Sequence, residues 1–290
     1  MISRLLALWL MLLLPAAGLA DELAGMLDTA RRGGAYRTPL PAELAAAEAL
    51  FERTLRGGDE ALAKDWEELD MSLSEVRDGG ETFRLLRERS EKTGRGVYLF
   101  RCAGALPLAW QAPHGFRDLD TDRLALDLLR EGRAAAATWN SVPRDGGRGG
   151  ERDADLAHLP ESYLTAFSRA FVRVHPDGAV IQLHGFAPED RKDRGAREAD
   201  LILSAGHRYP GYRLRQVADC LGGKLPGAVR LYPEQTRELG GTTNRIGRLL
   251  RELGLAGFIH AELSPMLRRR LLDSAELRGA FLECLEERKP

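Results

Sequence analysis

The chain has 290 residues, 44% hydrophobic and 29% charged, proportions that exclude a disordered chain and an integral membrane bundle. With 42 Lys and Arg against 43 Asp and Glu, the formal charge is -1. Phosphate backbones are held by a surplus of Lys and Arg, so no nucleic-acid partner is expected. Past residue 20 no run is apolar for the roughly 18 residues of a membrane helix, so no stable membrane insertion is expected either.

Met1-Ile2-Ser3-Arg4, the apolar stretch Leu5–Leu14 and the small residues Gly18 and Ala20 ahead of Asp21-Glu22 have the layout of a secretory signal. Residues 1–20 are therefore expected to be removed, and the mature chain to be periplasmic or secreted. Over 21–95 the pattern reads as helical: Leu40 to Leu55, then about Ala61 to Val76, then about Thr82 to Glu91, with Gly79-Gly80 between the last two. From residue 96 to 290 the texture is that of an α/β domain. Strand-length apolar runs fall at Val97–Cys102, Leu106–Ala112, Ala135–Val142, Ala179–Leu183, Leu201–Ser204, Ala228–Leu231 and Gly257–Ala261. Helical patterns lie between several of them, at Thr121–Glu131, Glu161–Val172, Tyr212–Leu221 and Arg245–Leu253. This alternation predicts a mixed, largely parallel central sheet flanked by helices. Gly146–Gly150 and Glu189–Glu198 read as surface loops. Of the three cysteines, Cys220 and Cys284 are the better candidates for a bridge, and Cys102, inside an apolar run, reads as a packed core residue.

Three side chains capable of chemistry fall at or just after the C-terminal ends of strand-like runs: His114, His184 and Glu262. Ligands of open α/β sheets bind beyond the carboxyl ends of the strands, where residues distant in sequence converge. His114 is followed four residues later by Asp118 across a turn containing Gly115, and zinc accepts imidazole nitrogen and carboxylate oxygen, with three protein ligands in catalytic sites. His114, Asp118 and His184 form such a set. Asp120 is the rival carboxylate, but it precedes a helix at Thr121 and has an N-cap role open to it. Glu262 is then placed to act as general base. His260, two residues earlier on the same strand face, is a candidate to orient that base or touch substrate.

Pro113-His114-Gly115-x-x-Asp118-x-x-Thr121, a strand ending in His184-Gly185, and another ending in Glu262-Leu263-Ser264 together resemble zinc-dependent amidohydrolases with a carboxypeptidase-like fold, namely the poly-γ-glutamate hydrolase and N-formylglutamate amidohydrolase groups. The family pattern is Pro-His-Gly-Gly-x-x-Glu-x-x-Thr; that His, that Glu and a later His hold zinc, and a Glu near the C-terminus is the base. Carried over, the resemblance implies one zinc ion per chain on His114, Asp118 and His184, with Glu262 as base. It covers residues 97 to about 275. Asp118 replaces the family's Glu, one residue closer to the His and one methylene shorter, and Phe116 replaces the second Gly.

For substrate handling, Asn244, Arg245 and Arg248 around the start of a helix are candidates to hold a carboxylate, as an Asn-Arg pair does in carboxypeptidases. Arg144 is a candidate to polarise the scissile carbonyl, and His158 to line the site. His175 and His207 are expected in solvent, and Arg268-Arg269-Arg270 on a solvated helix face. No Gly-x-Ser-x-Gly elbow, phosphate-binding loop or His-Glu-x-x-His motif occurs. The expectation is an exported zinc-dependent hydrolase of an amide bond in a small peptide-like, glutamyl or cell-wall-derived substrate. The alternative is a catalytically degenerate ligand-binding protein on the same fold.

Overall fold

A computed structural model describes residues 17–31, 34–144 and 154–286. Up to residue 16 the expected signal lies outside these residues, as does the Gly146–Gly150 loop. No helix among the described residues is long and apolar enough to cross a membrane.

In chain order the elements are α1 (Ala17–Ala30), α2 (Pro41–Leu55), α3 (Leu62–Glu67), β1 (Met71–Asp78), β2 (Glu81–Glu88), β3 (Val97–Arg101), β4 (Leu106–Ala112), α4 (Thr121–Glu131), β5 (Ala134–Trp139) and α5 (Tyr163–Val174). There follow β6 (Ala179–Gly185), α6 (Arg194–Arg197), β7 (Leu201–Ser204), α7 (Tyr212–Lys224), β8 (Val229–Leu231), α8 (Arg245–Glu252), β9 (Phe258–Leu263), α9 (Pro265–Asp273) and α10 (Ala275–Glu286). The nine strands form one sheet in the order β1-β2-β3-β5-β4-β6-β9-β7-β8. Its centre, β5-β4-β6-β9, is parallel. The flanks β1-β2-β3 and the β7-β9 pair are antiparallel. This is the mixed, helix-flanked α/β sheet expected from the sequence.

The central strands are buried on both faces, as parallel strands covered by helices must be, and read as apolar runs rather than alternations. One face packs against α1, α4, α7, α9 and α10 through Leu27, Leu128, Leu221, Leu267 and Phe281. The other packs against α2, α3, α5 and α8 through Phe51, Trp66, Phe167 and Leu250. Cys220 on α7 and Cys284 on α10 are joined in a disulfide, with 5.7 Å between Cα atoms. Cys102 is exposed rather than packed in the core, because it lies one residue beyond the end of β3.

The region 21–95 is not helical throughout. The stretches Ala61–Val76 and Thr82–Glu91 fold instead as the short α3 and the hairpin β1-β2, which pairs with β3 and carries the sheet across the boundary expected near residue 95. Gly79 and Gly80 sit at the turn with φ of 56° and 85°. Two successive positive φ values are what a tight hairpin turn requires, and glycine supplies them without steric cost. As the sheet's edge, β1 presents Glu75 and Arg77 to solvent, charges that discourage pairing with a further strand.

Candidate metal centre

Because β4, β5, β6 and β9 run parallel, their carboxyl ends meet at one edge of the sheet. There they line a cavity of about 350 Å³ that includes His114, Asp118, Arg144, His184, His260 and Glu262. His184 and Glu262 are register partners across β6 and β9, as are Gln182 and His260. Alternation along each strand places all four side chains on one face. His114 stands two residues past β4 in the turn leading to α4. Thr121 steadies that turn by donating from Oγ1 to the carbonyl of Asp118 at 2.7 Å. Phe116, in place of a glycine, lies under the Arg31 guanidinium at 4.7 Å.

Asp118 Oδ2 faces both imidazoles, at 3.6 Å from His114 Nδ1 and 3.3 Å from His184 Nδ1. Asp120 points elsewhere: it occupies the N-cap position of α4 with φ 71°, is exposed, and makes no side-chain cap bond. Hydrogen-bond partners fix the tautomer of each imidazole. Asp155 Oδ1 is an acceptor 2.8 Å from His114 Nε2, so that nitrogen carries the proton. For His184 the assignment passes through a buried relay. The Gly247 N–H donates to Asn244 Oδ1 at 3.0 Å, which leaves Asn244 Nδ2 to donate to Gln182 Oε1 at 2.6 Å. Gln182 Oε1 is thereby an acceptor for His184 Nε2 at 3.1 Å, and Gln182 Nε2 donates onward to Gln111 Oε1 at 2.8 Å.

With Nε2 engaged on each ring, both Nδ1 atoms are turned towards the Asp118 carboxylate. Together with Asp118 Oδ2 they lie mutually within 4.8 Å and fit a divalent cation that takes the place of the Nδ1 protons, with the outer imidazole nitrogens held as in known metal sites. Two further sets meet the same distance limit, His114–Asp155–His158 and His184–His260–Glu262. In the first, Asp155 already accepts from both rings, at 2.8 and 2.9 Å. In the second, Glu262 Oε1 is 3.8 Å from His260 Nε2, and the His260 ring stacks on His184 with centroids 4.5 Å apart.

Electrostatics divides the carboxyls into two kinds. Burial opposes ionisation of Asp118, but hydrogen bonds from His114 and His184 hold its carboxyl well below the usual range. Asp155 is likewise held low against its burial by His114 and His158. Glu262 has no such donors among the described residues: burial, then the charge on Asp118, push it up to about 8. Burial pulls His114 down, but Asp118 and Asp155 reverse this and raise it, whereas burial leaves His184 and His260 lowered.

Arg144 reaches Asp155 Oδ2 at 2.6 Å, and His158 joins the same carboxylate. Asn244 lines the cavity but spends both ends of its amide on α8 and Gln182. Arg245 and Arg248 do not line it. The Arg245 N–H is bonded to the Ala157 carbonyl, and Arg248 is exposed one turn into α8. His175 and His207 are half-buried rather than in solvent. Arg268 leaves the expected solvated face altogether and is buried, unlike the exposed Arg269 and Arg270.

No protein-family model and no curated protein matches the chain. Among solved structures, an N-formylglutamate amidohydrolase from Ralstonia eutropha JMP134 is similar at 13% identity and a TM-score of 0.41, covering 63% of this chain and 94% of that one. A gene product from Agrobacterium tumefaciens is similar at 13% identity and 0.40, covering 62% and 86%. An aspartoacylase family protein from Mesorhizobium loti MAFF303099 is similar at 17% and 0.38, covering 74% and 66%. These likenesses are distant.

Proposed function

We propose that the chain is an exported hydrolase that uses one zinc ion to cleave an amide bond in a small peptide-like, glutamyl or cell-wall-derived substrate. One observation carries this reading: two imidazole Nδ1 atoms and a carboxylate oxygen converge within 4.8 Å of one another, beside a buried Glu whose carboxyl is pushed up to about 8. His114, Asp118 and His184 hold the ion. When bound, zinc supplies Lewis acidity towards a carbonyl and makes water available as a nucleophile near neutral pH.

The remaining chemistry belongs to the chain. Glu262 takes a proton from the attacking water and returns it to the leaving amine, a role suited to a carboxyl whose proton affinity lies near neutrality. Asp155 holds His114 in one tautomer, and the Asn244–Gln182 relay does the same for His184. Arg144, tied to Asp155 at the cavity wall, places positive charge where an oxyanion or a substrate carboxylate can meet it. The Cys220–Cys284 disulfide accords with an oxidising compartment and supports export.

Metal analysis of the purified mature chain tests the reading. The parent should carry close to one zinc per chain, and folded His114→Ala and His184→Ala variants close to none. Glu262→Gln should keep the zinc and lose turnover. A folded parent that takes up no zinc after reloading overturns the mechanism.

A further inference from the structure

The turn that carries His114 and Asp118 is gripped from outside by Arg31, the residue that follows α1. Its side chain is buried, and a buried charge is kept only where it finds partners. Those partners fall on three separate pieces around the site. Nη1 pairs with Asp122 in the first turn of α4. The guanidinium lies over the Phe116 ring, whose face attracts a cation. Nε donates to the Asn140 carbonyl at 3.3 Å, one residue past the end of β5.

Each of these pieces bears on the candidate metal set. Phe116 and Asp122 stand on either side of Asp118 in the chain, so the two contacts pin the segment that carries it. Asn140 braces the opposite wall: its Nδ2 donates to the Ala154 carbonyl at 3.1 Å, next to the Asp155 that holds His114 Nε2. The turn is shaped to admit the guanidinium. A Cβ at Gly115 would lie 2.8 Å from Arg31 Nη2 and 2.9 Å from Asp122 Cβ. Gly115 does not have a positive φ, so its missing side chain serves this close approach and not the backbone.

We infer that Arg31 is a positioning residue of the metal centre: by clamping Phe116, Asp122 and Asn140 to one guanidinium, it fixes the turn on which His114 and Asp118 meet the ion. The inference rests on the proposed metal-binding reading, and its test reads the ion and not turnover. Zinc affinity is measured by competition with a chelator on the purified full chain. Cobalt(II), bound in place of zinc, reports ligand geometry through its visible absorption. The parent is compared with Arg31→Gln, Arg31→Lys, Asp122→Asn and the Arg31→Gln, Asp122→Asn double variant. Phe51→Leu, in the core on the other face of the sheet from α1 and α4, lowers stability at a distance from the site.

Arg31→Gln should weaken zinc binding by roughly 10-fold or more, as when a group that orients a metal ligand is lost, and should change the cobalt spectrum. Arg31→Lys, which keeps the cation, should recover part of both. Adding Arg31→Gln to Asp122→Asn should cost less affinity than Arg31→Gln costs alone, because the two residues form one clamp. Phe51→Leu should leave both readouts at the parent's values. Parent-like affinity and spectrum in Arg31→Gln, full additivity with Asp122→Asn, or an equal loss in Phe51→Leu would overturn the inference. Where Arg31→Gln does not fold, Asp122→Asn decides alone, and parent-like affinity and spectrum there overturn it equally. Failure of the metal reading shows separately, as a parent that takes up neither ion, and the inference falls with it.

Discussion

Replacing Glu262 by glutamine in the metal-free protein probes the electrostatics of the cavity without any substrate. The native carboxyl titrates at about 8 against an ordinary value of 4.5. Across that window the unfolded chain has released the proton that the native chain still holds, so stability falls as pH rises and levels off above 8. At about 1.4 kcal/mol per pH unit this one group removes on the order of 3–5 kcal/mol between pH 4.5 and 8. Glutamine has a similar shape and does not titrate. The other perturbed groups remain in both proteins. Asp118 and Asp155, held low, lend stability that is lost only as pH falls below the usual carboxylate range. His114, held high, lends stability that is lost as pH rises above 6.5 through its raised value. Urea denaturation with a chelator present, from pH 5 to 9, should give nearly equal stabilities at pH 5. By pH 8.5 the variant should be ahead by about 3 kcal/mol. Parallel curves for the two proteins across this range would refute the reasoning. With zinc bound the gap should shrink, because a cation beside Glu262 favours its ionised form.

Gln182→Leu breaks the relay that fixes the His184 tautomer and should weaken zinc affinity by roughly 10- to 100-fold in a competition titration with a chelator, while the far-ultraviolet spectrum stays unchanged. Asp118→Asn removes the only anionic ligand of the set and should lower zinc retention on gel filtration to a small fraction of the parent's. Cys284→Ser opens a loop closed across 64 residues and should cost about 4 kcal/mol in denaturant unfolding on the chain-entropy estimate. Gly80→Val forces a β-branched residue to φ 85° and should lower the melting temperature by a few degrees, for a cost of about 1–2 kcal/mol.

Much of the C-terminal two-thirds is legible in the sequence because its strands are continuous apolar runs bounded by charge and glycine. Leu106–Ala112, Leu201–Ser204 and Thr121–Glu131 are legible to their observed limits as β4, β7 and α4, and the three strand-end residues converge because β4, β6 and β9 are parallel. The hairpin reads as helical because Leu73 and Val76, and Phe83 with Leu86, are each three apart, a helical spacing rather than an alternating one. Gly79-Gly80 was the available signal for a turn with two positive φ values. Asp155 carries little local signal, because its role comes from the ring of His114, 41 positions away; only its spacing to His158 hints at it. Arg268 sits in a run of three arginines that looks like a solvated face, and only the packing of α9 against Gly185 separates it from its neighbours. Gln182 has no local signature at all, since its function is set by the orientation of an amide on another element.

The pairing of β6 with β9 joins two distant parts of the chain, one strand carrying a candidate ligand and the other a buried carboxyl 78 positions later. His114, Asp118 and His184 all precede residue 186, but the amide that holds the outer nitrogen of His184 is oriented by Asn244, in the last third of the chain. A chain cut short before Asn244 therefore keeps all three candidate ligands and loses both the relay that orients one of them and the carboxyl beside it.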